Sequence, residues 1–374
     1  MQRLKLENLS AALPKAGLSQ AALAERLGVS REAVSKWFSG RAIPRPDKLL
    51  QLALATGLAF EQLVQDDSLP SEPVVAFRKR GARKITDVHI ARAKDMGRAL
   101  RALVPYLPFD RLTQPPRLKQ PVRDYEYLQA VSRQLRTEIG IGEDGVIEVE
   151  HLVGRFTALQ AVLIPVLWGE KDGHDNALHI YLPDSMTTWV YLNLDTSPVD
   201  FKFWMAHELG HVYGAALTGD DAEDFSDSFA GAILFPEAPA ADAYRQLMQK
   251  RLPASRLGVL QRHASAFGVS PITVCHEVRN YAVAHKLECP TVGDELYRST
   301  HAFKKPHGTI AGKLLEGASP SARDFVGRTS QLLRTPFFDA LRRYLAEHPK
   351  SVGFIQAITD VPVLDAKELL TELS

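Results

Sequence analysis

The chain has 374 residues, 45% of them hydrophobic and 24% charged, with a formal net charge of +1; this excludes a polycation or polyanion and predicts two or three domains. No run of about 18 apolar residues is available to span a bilayer, and the start M-Q-R-L-K-L-E-N-L-S lacks an apolar leader core, so a cytoplasmic location with no membrane contact is expected. The cysteines, Cys275 and Cys289, argue against a disulfide framework and a thiolate metal site.

Residues 1–65 carry nine Lys/Arg against five Asp/Glu, an imbalance suited to local contact with nucleic acid. A first helix is predicted over Leu4–Ala16. In L-S-Q-A-A-L-A-E-R-L-G-V-S-R-E-A-V-S-K-W-F-S-G, Ser19 and Ser30 are helix caps and Gly28 supplies the turn, while Ala22, Leu23, Leu27, Val29, Val34 and Trp37 close a small core. This is a helix-turn-helix pattern. Through S-Q-x-x-L-A and W-x-x-G it resembles the DNA-binding domain of phage-type repressors of the Cro/C1 and XRE class. The resemblance implies an all-α domain over 1–67 that binds double-stranded DNA, with Gln20, Arg31, Glu32, Ser35 and Lys36 facing outward from the recognition region. Arg31 and Lys36 are then donors to guanine edges or phosphates, and Arg41, Arg45 and Lys48 meet the backbone. The same fold also serves as a docking or dimerising module. One copy makes few contacts, so a homodimer is expected.

Residues 68–121 read as a linker and connecting helix. Ser68–Pro73 is the linker, Arg78–Lys84 a basic run, and Asp87–Leu103 a helix; prolines 105, 108, 115, 116 and 121 make the rest irregular. From Val122 to Ile139, apolar residues recur at helical spacing.

A second domain is expected over 122–290. Strands are predicted at Ile147–Leu152, within Ala158–Trp168, where Pro165 limits the segment to an edge or interrupts it, at Ala177–Leu182 and at Thr188–Leu194. Asp200 is the expected cap of the next helix. That helix carries F-W-M-A-H-E-L-G-H-V-Y-G, in which His207 and His211, four residues apart, share one face with Glu208 beside them. A Zn²⁺ hydrolase needs two neutral nitrogen ligands, a third protein ligand and an open position for water. Glu223 and Asp227 are the contenders for the third ligand, themselves i, i+4 on a helix whose apolar side includes Phe225, Phe229, Ile233 and Leu234. A sheet edge near the metal could hold an extended peptide.

H-E-L-G-H, followed by Glu223, Asp227, Phe229, Ala230, Leu234 and Pro236, resembles the ImmA/IrrE zinc metallopeptidases. The resemblance implies an α+β zincin-like domain, Zn²⁺ on His207, His211 and Glu223, Glu208 as catalytic base, and Asp227, where the family commonly has Asn, as acceptor to a ligand histidine. Manganese or iron would accept the same ligands. Tyr213, His276 and Tyr281 are candidates to stabilise the oxyanion. Asp220, Asp221 and Asp224 read as a solvated acidic loop, and Ser255–Val283 as a second, structural helix-turn-helix.

Residues 291–374 are expected to form a mainly helical, regulatory or dimerising region. His301 and His307 read as loop histidines, Arg323–Leu345 as helical, and Ser351–Leu370 as a short mixed element. The expectation is a DNA-binding zinc endopeptidase whose substrate is a transcriptional repressor or antitoxin-like protein, or itself, in a stress, phage or defence circuit. A non-hydrolytic metal-containing regulator or an interaction scaffold is the alternative.

Overall fold

Two serines set the geometry of the first domain. Ser19 Oγ accepts from the Ala22 N–H and Ser30 Oγ from the Ala33 N–H, each at 3.1 Å, so each satisfies a donor that an opening helical turn leaves unpaired. Between them Gly28 turns the chain at φ 61°, a left-handed conformation that glycine adopts at little cost. The computed structural model describes residues 2–66, 72–77, 87–109, 118–142, 144–168, 177–315 and 320–374. The basic run at 78–84 and most of the expected linker, 68–71, lie outside the described residues.

Strands β1 (Gln2–Leu4) and β2 (Val64–Asp66) pair antiparallel, Leu4 opposite Val64, and tie the two ends of the domain together. Leu4 is therefore in a ladder, and the first helix starts later than the apolar pattern suggests. Helices α1 (Leu6–Lys15), α2 (Gln20–Leu27), α3 (Arg31–Phe38), α4 (Pro46–Thr56) and α5 (Phe60–Leu63) follow. Leu9, Leu23, Leu27, Val34, Trp37, Leu49 and Leu52 form their common core, each large side chain contributing roughly 1.5–3 kcal/mol on burial.

The remaining described chain is an α+β region running into a mainly helical one. β3 (Val74–Phe77) precedes α6 (Asp87–Leu100), which tightens into a 3₁₀ turn over Arg101–Tyr106. Next come α7 (Tyr125–Ile139) and α8 (Val149–Ala158). The strand expected at 147–152 is thus a helix: the Glu148 N–H donates to His151 Nδ1 at 2.9 Å, and Val149, Leu152, Val153 and Phe156 repeat at helical period, which a six-residue window cannot tell from a strand. β4 (Val162–Val166), β5 (Ala177–Leu182) and β6 (Thr187–Asn193) complete a four-stranded sheet in the order β3-β5-β6-β4. β5 pairs antiparallel with both neighbours, and β4 runs parallel to β6. Pro165 lies on edge strand β4, where one side of the backbone needs no donor.

Two long helices cover the sheet: α9 (Pro198–Tyr213) and α10 (Gly219–Leu234). Ser197, not Asp200, caps α9, its Oγ accepting from the Asp200 N–H at 3.2 Å; Pro198 at the first helical position starts the helix one turn earlier, and Asp200 pairs with Lys304 at 2.6 Å. Then follow α11 (Glu237–Met248), α12 (Pro253–Phe267) and α13 (Pro271–Ala284). The C-terminal helices are α14 (Glu295–Lys304), α15 (Ile310–Leu315), α16 (Ala322–Leu333), α17 (Phe337–Glu347), α18 (Val352–Thr359) and α19 (Val363–Leu373). Residues 351–370 are therefore helical rather than mixed. His301 sits in α14 and His307 in a short 3₁₀ turn, not in loops. Phe325, Phe337 and Ile358 share one hydrophobic core with the sheet, and the buried Tyr191 hydroxyl of β6 donates to Ile358 O at 2.7 Å. No helix of the described residues is long and apolar enough to cross a membrane.

Candidate metal centre

The sequence of α9 is apolar around most of its circumference, and from Trp204 to Tyr213 the helix is buried on every side. A histidine placed there faces protein, so its ring nitrogens need partners or a cation. His207 and His211 turn to α10, with their Nε2 atoms 3.0 Å apart. Glu223, near the start of α10, reaches both: its Oε2 lies 3.5 Å from His207 Nε2 and its Oε1 3.3 Å from His211 Nε2. Two nitrogens on one tetrahedral Zn²⁺ at 2.0–2.1 Å are about 3.4 Å apart, so these separations suit a shared ion. Burial pushes the Glu223 carboxyl up, but His207 and His211 outweigh it and hold it down at about 2.

Behind this trio, His207 Nδ1 faces Asp227 Oδ1 at 2.8 Å. With Nδ1–H donating to that carboxylate, the Nε2 lone pair is aimed forward, as a metal-bound histidine requires. The close crossing of the two helices depends on Gly210. A Cβ there would lie 2.7 Å from Ser226 Cα and 2.9 Å from its Cβ, a clash that only a shift of α10 relieves.

Glu208 is buried at 1% exposure. His207, Glu208 and His211 also bring donor atoms within 4.8 Å of one another. Each Glu223 oxygen meets a different histidine nitrogen, whereas Glu208 Oε2 points toward His179 of β5. A cleft of about 610 Å³ opens beside the centre, lined by His211, Glu223, His179, Tyr181 and Val74–Ala76 of edge strand β3.

On the first domain, Gln20, Arg31, Ser35, Lys36 and Arg41 are all exposed, on or beside α2 and α3. Lys36 pairs with Glu32 at 2.8 Å. Lys48 Nζ donates to Leu27 O and to Gln51 Oε1, placing a cation at the end of α2, where it suits a helix C-terminus.

Residues 10–63 match the helix-turn-helix family, and residues 162–279 match the IrrE N-terminal-like domain. A helix-turn-helix domain precedes an IrrE/ImmA-like peptidase-family domain. The chain is also similar to the 26 kDa repressor protein of Escherichia phage HK022, 52% identical over 68 residues, covering 18% of this chain and 28% of the repressor. It therefore spans less than a third of that relative's length. No solved structure matches.

The three expected oxyanion helpers lie away from the cleft that His211 and Glu223 line. The Tyr213 hydroxyl accepts from Arg155 Nε at 2.6 Å, on the side of α9 bordered by Leu118 and Glu138. His276 lines a second cavity of about 450 Å³, with Asp200, Lys304 and, from the far side of His207, Asp227. The Tyr281 ring packs between Tyr244 and His285. Asp220 and Asp221 open α10 rather than lying in a loop, where negative charge complements the helix dipole.

His179 was not singled out by its spacing, yet it is the residue that reaches the centre from the sheet. It is 6% exposed on β5, with its ring centroid 5.7 Å from that of His211 and its Nδ1 3.6 Å from Glu208 Oε2. Burial depresses its pKa, against a smaller upward pull from Glu208. No local signal marks it: at period two His179 shares a strand face with Ala177 and Tyr181, opposite the apolar Leu178, Ile180 and Leu182.

Proposed function

We propose that this chain is a DNA-binding, metal-dependent endopeptidase that cleaves a transcriptional repressor or antitoxin-like protein in a cytoplasmic stress, phage or defence circuit. The observation that carries this reading is the convergence of His207, His211 and Glu223 beside a cleft, with Asp227 behind the first ligand and Glu208 next to both histidines. His207, His211 and Glu223 would hold a Zn²⁺, which when bound would supply the Lewis acid for water activation and carbonyl polarisation. Glu208 takes the proton of the attacking water and delivers it to the leaving amine. Asp227 fixes the His207 tautomer.

An extended substrate fits the cleft beside β3, the sheet edge nearest the ligands, where main-chain hydrogen bonds hold a peptide at a constant distance from the reacting centre. Arg31, Ser35, Lys36, Gln20 and Arg41 form the DNA-facing set, working as a homodimer because one copy buries too little for specific binding. Binding at an operator raises the effective concentration of a repressor bound nearby. The similarity to a phage repressor supports that choice of circuit.

A second reading, self-processing, draws on one observation: Glu72 and Pro73, from the segment joining the domains, line the same cleft as His211 and Glu223. The test incubates full-length zinc-loaded protein with operator DNA and repressors encoded beside it, locating any cut by mass spectrometry. Glu208→Gln is expected to keep zinc and lose hydrolysis. Full cleavage by that variant at matched metal content rejects the mechanism, and zinc retention with DNA binding but no cut in any protein leaves a non-hydrolytic regulator.

A further inference from the structure

Glu208 Oε2 and His179 Nδ1 are both buried, and neither has a hydrogen-bond partner. They face each other at 3.6 Å, beyond a hydrogen bond but closed by a movement of roughly 0.5 Å. A carboxylate oxygen buried with nothing to bond is costly, and so is a ring nitrogen in the same state. Each atom is the other's nearest remedy.

We propose that His179 is a positioning residue for the catalytic base, donating Nδ1–H to Glu208 Oε2 so that the other carboxylate oxygen is held toward the attacking water. The assignment rests on the peptidase reading above. His179 belongs to a different element from Glu208, and its backbone is fixed on both sides: Ala76 of β3 stands opposite it on one flank and Val190 of β6 on the other. Slipping the strand by one residue would turn the imidazole to the far face of the sheet. The donor is thus held by a ladder, while the base rides on a helix already committed through His207 and His211. A carboxylate with one oxygen anchored loses its rotation about χ3, and the geometry for proton transfer is set before substrate arrives.

The alternative is that His179 fills volume. Two substitutions separate the roles, because Leu keeps the bulk without the donor while the amide nitrogen of Asn occupies the position of Nδ1. In zinc-loaded full-length protein, His179→Leu is expected to lower kcat about 10- to 100-fold, the range for a misplaced proton-transfer group, with KM and zinc stoichiometry unchanged. His179→Asn is expected to restore most of the lost rate. Cobalt-substituted protein should give the same absorption spectrum in all three forms, since no ligand is disturbed. Wild-type kcat in the Leu variant, or an Asn variant as slow as Leu, overturns the proposal.

Thermal unfolding supplies a readout independent of substrate. The fall in Tm caused by His179→Leu should vanish in a Glu208→Ala background, because no buried carboxylate is then left unpartnered. An undiminished fall there also overturns the pairing. If the wild type cuts nothing while the two substitutions remain coupled, the peptidase reading fails and the contact stands.

Discussion

The proposed DNA-facing surface and the candidate metal centre make opposite demands on the chain. Gln20, Arg31, Ser35, Lys36 and Arg41 lie within one short stretch and all are exposed; the first domain has only to hold two helices, and it does so with two serine caps and one glycine turn. The centre gathers His179 from β5, His207, Glu208 and His211 from α9, and Glu223 and Asp227 from α10, mostly inside the protein. Exposed functional groups tolerate a small error in their support, whereas buried ones share it. Damage should therefore stay local in the first region and spread in the second.

The largest separation is expected from His211→Ala, which should abolish stoichiometric zinc binding while leaving operator affinity at the wild-type level, read by metal analysis and a DNA-binding isotherm on the same preparation. Loss of DNA binding in parallel would show that the two regions are not independent. Next is Gly210→Ala. A single methyl is expected to cost about 1–3 kcal/mol in unfolding free energy, the usual range for overpacking, and to weaken zinc as well, because the backbone it displaces carries both Glu223 and Asp227. Retention of full zinc affinity would mean that α9 and α10 separate without moving the ligands. The smallest effect is Arg31→Ala, expected to weaken specific DNA binding by about tenfold, near the lower end for one arginine contact, with unfolding midpoint and metal content unchanged. A drop in stability there would place Arg31 among the residues that hold the domain rather than those that read DNA.

The same contrast explains what was legible from the residues alone. Ser19, Gly28 and Ser30 act through neighbours three or four positions away, so local pattern reveals them. H-E-L-G-H is legible for the same reason, since one helical turn brings its two histidines to one face. Ala177–Leu182 alternates over its whole length and forms that strand. The failures have nonlocal or competing causes. Residues 147–152 are too few to show that their apolar positions continue at helical period through Phe156. Asp200 lost the cap to Ser197 because Pro198 admits an earlier start. Tyr213 turned to Arg155, a partner 58 positions away, and no spacing rule reaches that far. His179 escaped notice because nothing near it in sequence marks it; only the sheet brings it beside Glu208.

The join between the two halves carries a consequence of its own. β2 ends at Asp66 and β3 begins at Val74, and a fully extended chain covers at most about 3.3–3.6 Å per residue, so roughly 28 Å is the longest leash the covalent connection permits. Because β3 is itself a wall of the cleft, a first domain seated on DNA, as proposed, would keep that cleft close to the duplex. On the proposed reading, the protein this chain cuts would be one bound to the same stretch of DNA.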